Sequence, residues 1–199
     1  ANVKAVALDK TGTITSGEFK VQNVETVGSH VSNAQLLSMA AAIEAVSTHP
    51  IATSIVSEAK AQGIVVEASD FVQELAGEGM VGTVDGQQVL VGNRRLMERY
   101  AVQGYPTEPV AYGTEVLVAE GNVYLGRIII ADEARPDSAE AIADLNGQDI
   151  KTVMLTGDAE ASANYIAKET GVSAVRAQLL PQDKLSVVQD IRSEYGPTM

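Results

Sequence analysis

The sequence has no cysteine in its 199 residues, which excludes disulfides and thiolate metal sites and is compatible with a reducing cytoplasm. Cations are scarce. Fourteen Lys and Arg stand against 26 Asp and Glu, and the formal net charge of −12 would repel a nucleic-acid backbone or an anionic lipid surface. Nucleic acid is therefore not an expected partner. No run approaches the roughly 20 apolar residues that cross a bilayer, and Ala1-Asn2-Val3-Lys4 lacks a signal-peptide plan. Repeats, low-complexity tracts and long flexible linkers are also missing. What is present is globular in character: 45% apolar residues, enough for one large domain or two small ones with a sizeable core. The chain starts on an apolar strand and stops at Gly196-Pro197-Thr198-Met199 without a polar tail, so a fragment is expected.

Val3 to Leu8 is a nearly continuous apolar run ending at Asp9, the pattern of a buried parallel strand with a polar residue at its carboxyl end. The same pattern is read at Leu125 to Ala131 before Asp132, and at Thr152 to Leu155 before Thr156-Gly157-Asp158. Helical stretches follow the last two, Asp137 to Asn146 stopped by Gly147 and Ala159 to Thr170 stopped by Gly171. Such alternation means a parallel α/β sheet. Ligands collect beyond the carboxyl ends of its strands, where Asp9, Asp132 and Thr156 to Asp158 would converge. Residues 20–124 have another texture, with helices expected near Asn33 to Ala45 and Pro50 to Gln62. Strand signals follow: Gly79 to Val84 and Gln87 to Val91 flank the turn Asp85-Gly86, and Glu115 to Ala119 and Val123 to Ile130 flank Glu120-Gly121-Asn122. The expected organisation is a first domain from residues 1–19 and 125–199, interrupted by an inserted domain of residues 20–124.

A carboxylate at a strand end, followed by Lys10 and the turn Thr11-Gly12-Thr13, can attack a phosphoryl group while Lys and backbone N–H groups neutralise its oxygens. The product would be an aspartyl phosphate on Asp9. Position 11 separates two enzymes that would share this sheet. A phosphatase of the haloacid dehalogenase type needs a second Asp there, to protonate the leaving group and then activate water. This chain has Thr11, so the covalent intermediate should be long-lived.

Asp9-Lys10-Thr11-Gly12-Thr13, Thr156-Gly157-Asp158 and Lys184 together resemble the P-type ATPases. The resemblance implies an α/β fold: a haloacid-dehalogenase-like parallel sheet, truncated at its C-terminus, forms the phosphorylation domain, and an α+β antiparallel-sheet insertion forms the nucleotide-binding domain. It implies that Asp9 is the nucleophile, that Lys10 and Lys184 neutralise phosphate, and that Thr156 donates to the transferred group beside Gly157 and Asp158. Mg²⁺ would sit on the Asp9 carboxylate and the Thr11 carbonyl. Asp132-Glu133-Ala134-Arg135-Pro136 resembles the family's Asp-x-x-Arg return segment, although Pro136 at the first position of a helix explains the residues singly as well.

Ser47-Thr48-His49-Pro50 resembles the Ser-Glu-His-Pro motif of the heavy-metal (type IB) subfamily, with Thr48 in place of Glu. That difference and Leu179-Leu180-Pro181-Gln182-Asp183-Lys184 lean toward the zinc/cadmium/lead branch. By this resemblance ATP is bound in the insertion: His49 stacks near the adenine, Glu44 recognises its edge, Gly77 and Gly79 let the backbone approach, and Gly92 and Asn93 complete the wall. Gly77-Glu78-Gly79-Met80-Val81-Gly82 spells a dinucleotide fingerprint, but a hairpin follows where a helix is required, so an NAD site is rejected. Gly82 and Gly86 are as well explained by tight turns.

The implied partners are ATP and the remainder of a pump, its membrane helices and actuator domain, at the cytoplasmic face of a membrane. The transported metal would not bind this segment. Family members also carry Gly-Asp-Gly-x-x-Asp, which completes the Mg²⁺ site and which this sequence does not contain. ATP binding with weak or no turnover is therefore expected, with the last strand of the phosphorylation domain missing. Two alternatives stay open: a phosphatase with a cap domain, and a non-catalytic nucleotide-binding module.

Overall fold

A computed structural model describes residues 3–28, 30–69 and 71–199. In chain order its elements are β1 (Ala5–Asp9), β2 (Thr15–Thr26), α1 (Asn33–Glu44), α2 (Pro50–Ala61), β3 (Val72–Leu75), β4 (Gly79–Val84), β5 (Gln87–Gly92) and α3 (Arg94–Arg99). There follow β6 (Thr114–Glu120), β7 (Val123–Ala134), α4 (Ser138–Gly147), β8 (Lys151–Leu155), α5 (Glu160–Thr170), β9 (Ala174–Arg176) and α6 (Asp183–Tyr195). They gather into two units, one of Ala1–Glu18 with Asp132–Met199 and one of Phe19–Ala131.

The first unit is built on a parallel sheet ordered β1-β8-β9. Its central strand β8 is apolar on both faces because both are covered. Ile142 of α4 and Ala163 and Ile166 of α5 pack with Met154 on one side, and Ile191 of α6 packs with Val153 and Leu155 on the other. Asp9 pairs in register with Leu155, so the two strands end level and the Thr156-Gly157-Asp158 turn begins beside the aspartate. α5 ends as expected, on left-handed Gly171 with φ 76°. α4 departs from expectation at both ends. Pro136 precedes the N-cap Asp137 and is not the first helical residue, because Ser138 N–H donates back to the Arg135 carbonyl and makes this segment a turn. Gly147 is helical, and the left-handed residue that redirects the chain is Asp149, at φ 59°. The strand expected to be missing is partly present: the N–H groups of Lys4 and Ala7 donate to Pro197 and Met199, along the edge of β1 away from β8.

The second unit holds a six-stranded sheet ordered β2-β7-β6-β5-β4-β3, antiparallel from β7 through β3. Helices α1 and α2 cover one face, where Leu36, Leu37, Ile43 and Ile55 pack with Val89, Val91 and Ile128. Helix α3 covers the other, where Leu96 and Met97 pack with Leu90, Leu117 and Tyr124. Leu125 to Ala131, read from sequence as a parallel strand, is therefore the inner part of β7 and pairs antiparallel with β6. An antiparallel strand buried on both faces carries the same unbroken apolar run as a parallel one, which is why the pattern misled. The return boundary accordingly falls after Ala131. The β4–β5 hairpin turns at Asp85 and Gly86, with φ 50° and 79°, the twist that the Asp-Gly pair is chosen for. Gly82 lies inside β4 and serves no turn: a Cβ there would stand 2.5 Å from Ile43 Cδ1, so its smallness seats α1 on the sheet.

Candidate functional site

In the first unit the chain leaves β1 through a tight turn of Lys10 to Ile14, in which Gly12 takes φ 76°. The Thr15 hydroxyl lies 3.1 Å from the Lys10 carbonyl and 2.5 Å from Asp132 Oδ2, while Gly17 N–H donates to Asp132 Oδ1 at 2.9 Å. Asp132 thereby holds the start of β2 against the return segment. The two lysines expected at the phosphate divide their tasks. Lys184, on the first turn of α6, donates to Asp9 Oδ1 at 2.9 Å. Lys10 is buried and its ammonium sits 2.7 Å from Asp158 and 3.9 Å from Asp132. Its charge is thus matched by two carboxylates, which offsets the cost of burying a charge.

Thr156 is buried. Its hydroxyl accepts from Asp158 N–H at 3.1 Å, its own N–H donates to the Arg176 carbonyl, and its carbonyl accepts from Leu179. A Cβ on Gly157 would meet the Leu179 carbonyl at 3.1 Å, so this turn fits tightly against the chain that leads to α6. Asp9, by contrast, has 49% of its side-chain surface open. For Mg²⁺, the Asp9 carboxylate and Thr11 carbonyl supply hard oxygen donors of the right kind, and this ion takes its remaining ligands from phosphates and water. Among the described residues no cluster of three or more His, Asp or Glu side chains forms a metal cage.

The second unit contains a cavity of about 300 Å³. Glu44, His49, Gly77, Gly79, Gly92 and Asn93, from the ends of three helices, the ends of two strands and the turn between β3 and β4, all line it. Ile51, Leu75, Met80, Val91 and Val116 supply apolar wall, so the cavity suits a flat heteroaromatic ring with polar groups on its edge. His49 is the N-cap of α2: its Nδ1 accepts from Ile51 N–H at 3.2 Å, which leaves Nε2 to carry the proton of the neutral ring. Asn93 caps α3 through Oδ1, and its Nδ2 donates to the Gly77 carbonyl at 2.8 Å while its N–H donates to Glu78. It therefore fixes the glycine loop to the helix start.

Gly79 and Gly92 are cross-strand partners. A Cβ on Gly79 would come within 2.3 Å of the Val91 carbonyl, and one on Gly92 within 2.3 Å of the Glu78 carbonyl. Both glycines thus serve first to bring two backbones together. Gly77 differs: at φ 74° it faces open space, so it alone of the three leaves room beside the backbone.

Glu44 closes α1, is 7% exposed, and its carboxyl is pushed up to about 7, chiefly by burial and then by the charge of Glu74. Glu74, Glu78 and Glu115 also line the cavity and escaped the sequence reading. For Glu74 a signal existed: it pairs with Met80 across β3 and β4, and a two-residue alternation from Val72 places it on the same face. Glu78 is held by Arg99 through two bonds of 2.6 Å, which lowers its carboxyl below the usual range. Glu115 is bound by Arg94 and Arg127 at 2.6 and 3.3 Å.

A parallel sheet with a lysine-paired aspartate at the end of its first strand, interrupted by a second α/β unit with its own cavity, is the architecture of a class of α/β hydrolases. The chain belongs to the haloacid dehalogenase-like hydrolases, whose family model matches residues 3–199. It is 38% identical over 205 residues to the cadmium/zinc-transporting ATPase HMA2 of Oryza sativa subsp. japonica, covering 100% of this chain and 19% of that protein. It is 44% identical over 196 residues to the zinc-transporting ATPase of Synechocystis, covering 98% of this chain and 26% of that protein. A crystal structure of a zinc-transporting PIB-type ATPase in the E2.Pi state superimposes with a TM-score of 0.84 at 34% identity, over 98% of this chain and 32% of that one. The resemblance to heavy-metal P-type ATPases and the expected fold class are thereby borne out. The chain spans about a fifth to a quarter of the length of these curated relatives. No helix among its described residues is long and apolar enough to cross a membrane.

Proposed function

We propose that this chain is the ATP-binding and phosphorylation core of a heavy-metal export pump. ATP binds the cavity of the inserted unit, and its γ-phosphate passes to Asp9 to form an aspartyl phosphate. The observation that carries this reading is the convergence of six residues, from Glu44 to Asn93, on one cavity of ring size. Lys184 beside Asp9 supports the acceptor role, since it offsets the charge that accumulates when a carboxylate meets a phosphoryl group. When bound, Mg²⁺ at Asp9 and Thr11 would neutralise phosphate oxygens. Energy stored in the acyl phosphate would drive export of a cation such as zinc or cadmium by the membrane portion of a longer protein. Its remaining partners would be that portion and an actuator domain, placing this core on the cytoplasmic side.

His49→Ala is expected to weaken ATP binding about tenfold in a calorimetric titration, the loss of one stacking and polar contact. Unchanged affinity would remove His49 from the site.

The second reading, a capped phosphatase, meets Thr11 at the position where the acid and base would stand. Thr11 is exposed at the turn after Asp9, so a carboxylate fits there without burial. Thr11→Asp is expected to shorten the life of the phosphoenzyme by about 10²-fold, the low end of general acid–base catalysis. Rapid turnover of small phosphomonoesters by the unaltered chain without ATP would favour the phosphatase instead.

A further inference from the structure

Five ionisable side chains line the cavity of the second unit: Glu44 from α1, His49 before α2, Glu74 from β3, Glu78 before β4 and Glu115 from β6. β5 contributes none. Two of the four acids have cations, Glu78 with Arg99 and Glu115 with Arg94 and Arg127. Among the described residues no cation pairs with Glu44 or Glu74. Glu44 is buried in a wall that is otherwise largely apolar, and its acidic neighbour Glu74 lies on a strand edge open to water. Placing a second negative charge beside the first costs free energy, so the inner carboxyl is the one that keeps a proton.

The chemistry of the two purines makes that proton matter. Adenine presents an amino donor next to a ring-nitrogen acceptor. A neutral carboxyl answers both, accepting through its carbonyl oxygen and donating through its O–H. A carboxylate can only accept, and it turns a lone pair toward the adenine ring nitrogen. Guanine presents a ring N–H and an amino group as adjacent donors, which suit a carboxylate.

We propose that Glu74 is a further specificity residue of this site: its charge adds to the burial of Glu44 in keeping a proton on that carboxyl, so that the cavity prefers adenine over guanine, and the preference weakens as that proton is lost. This rests on the nucleotide reading given above. The sign follows from the direction of the perturbation. Glu44 is neutral below about 7 and charged above it, so ATP affinity is highest on the acid side and falls as the pH rises through that value.

The test is the ratio of the dissociation constants of GTP and ATP, measured by calorimetry on the whole chain from about pH 6 to about pH 8. Both nucleotides carry the same triphosphate, so protons taken up by the phosphates cancel in the ratio. The expected ratio favours ATP at about pH 6 and falls at least about tenfold by about pH 8, the fall in the neutral fraction of Glu44, with any gain of GTP on the carboxylate adding to it. Glu44→Gln, whose amide offers the same donor and acceptor at every pH, removes the dependence. Glu74→Gln, a change at an exposed position, moves the fall to lower pH, and a fall that stays where it was overturns the role of Glu74. A ratio that does not change with pH overturns the proposal while leaving ATP binding intact, as does an undiminished pH dependence in Glu44→Gln. If ATP binds at no pH, the nucleotide reading fails and takes the proposal with it.

Discussion

In a version of the chain that includes a Gly-Asp-Gly-x-x-Asp segment, Asp9→Asn is expected to slow phosphoryl transfer from ATP by about 10³-fold or more while ATP binding persists. The asymmetry follows from the division of the chain into two units. The cavity-lining residues all belong to Phe19–Ala131, whereas Asp9 belongs to the unit of Ala1–Glu18 and Asp132–Met199. The substitution keeps the shape of the side chain at a half-exposed position, so the strand and its register with β8 remain. What it removes is the nucleophilic oxygen and the charge facing Lys184. An amide cannot form an acyl phosphate, so the loss is one of chemistry and not of folding. Circular dichroism and an ATP titration, run beside the activity measurement, check the two halves of this expectation.

Gly79→Ala is expected to be the most damaging single methyl group in the second unit. The added Cβ would overlap the Val91 carbonyl at 2.3 Å and Gly92 Cα at 2.5 Å, both backbone atoms that cannot swing aside. The residue also sits at φ 141°, outside the regions that an L-residue occupies without strain. Backbone strain combined with a clash costs about 3 kcal/mol, or roughly 10 °C in Tm. Opening β4 from β5 would also displace Glu78 and so the loop that Asn93 ties down, and ATP affinity should fall with stability. Thermal unfolding and nucleotide titration of the same sample measure both. Gly77→Ala supplies the contrast, because nothing stands within 4 Å of a Cβ there. Its cost should be limited to the left-handed backbone.

Much of this was legible in the sequence, for reasons that differ from place to place. The helix boundaries in the insertion were readable because Ser32 with Gln35 forms a capping box and Pro50 opens α2. The hairpin at Asp85-Gly86 was readable because few other residue pairs accept left-handed backbone twice in succession. Val123 to Ile130 was read correctly as the hairpin partner of Glu115 to Ala119, whereas the parallel reading of Leu125 to Ala131 failed because an apolar run reports burial on both faces and not the direction of the neighbouring strand. Lys10 shows a second limit. Its place next to Asp9 in sequence suggested contact with the same group, yet its ammonium lies beside Asp158 and Asp132, while distant Lys184 reaches Asp9. Glu74 shows a third, since its significance depends on the burial of Glu44, which lies on a different element and is set by the packing of α1 against the sheet.

A phosphorylated pump core and a nucleotide-binding module differ in where the phosphate goes. The direct measurement is to mix labelled ATP and Mg²⁺ with a longer version of the chain that includes a Gly-Asp-Gly-x-x-Asp segment, quench in acid and map the labelled peptide. The account predicts one hydroxylamine-labile label, on the peptide that carries Asp9, and none in Asp9→Asn. Equal labelling of the wild type and Asp9→Asn, or ATP consumption with no labelled protein in either, would contradict it.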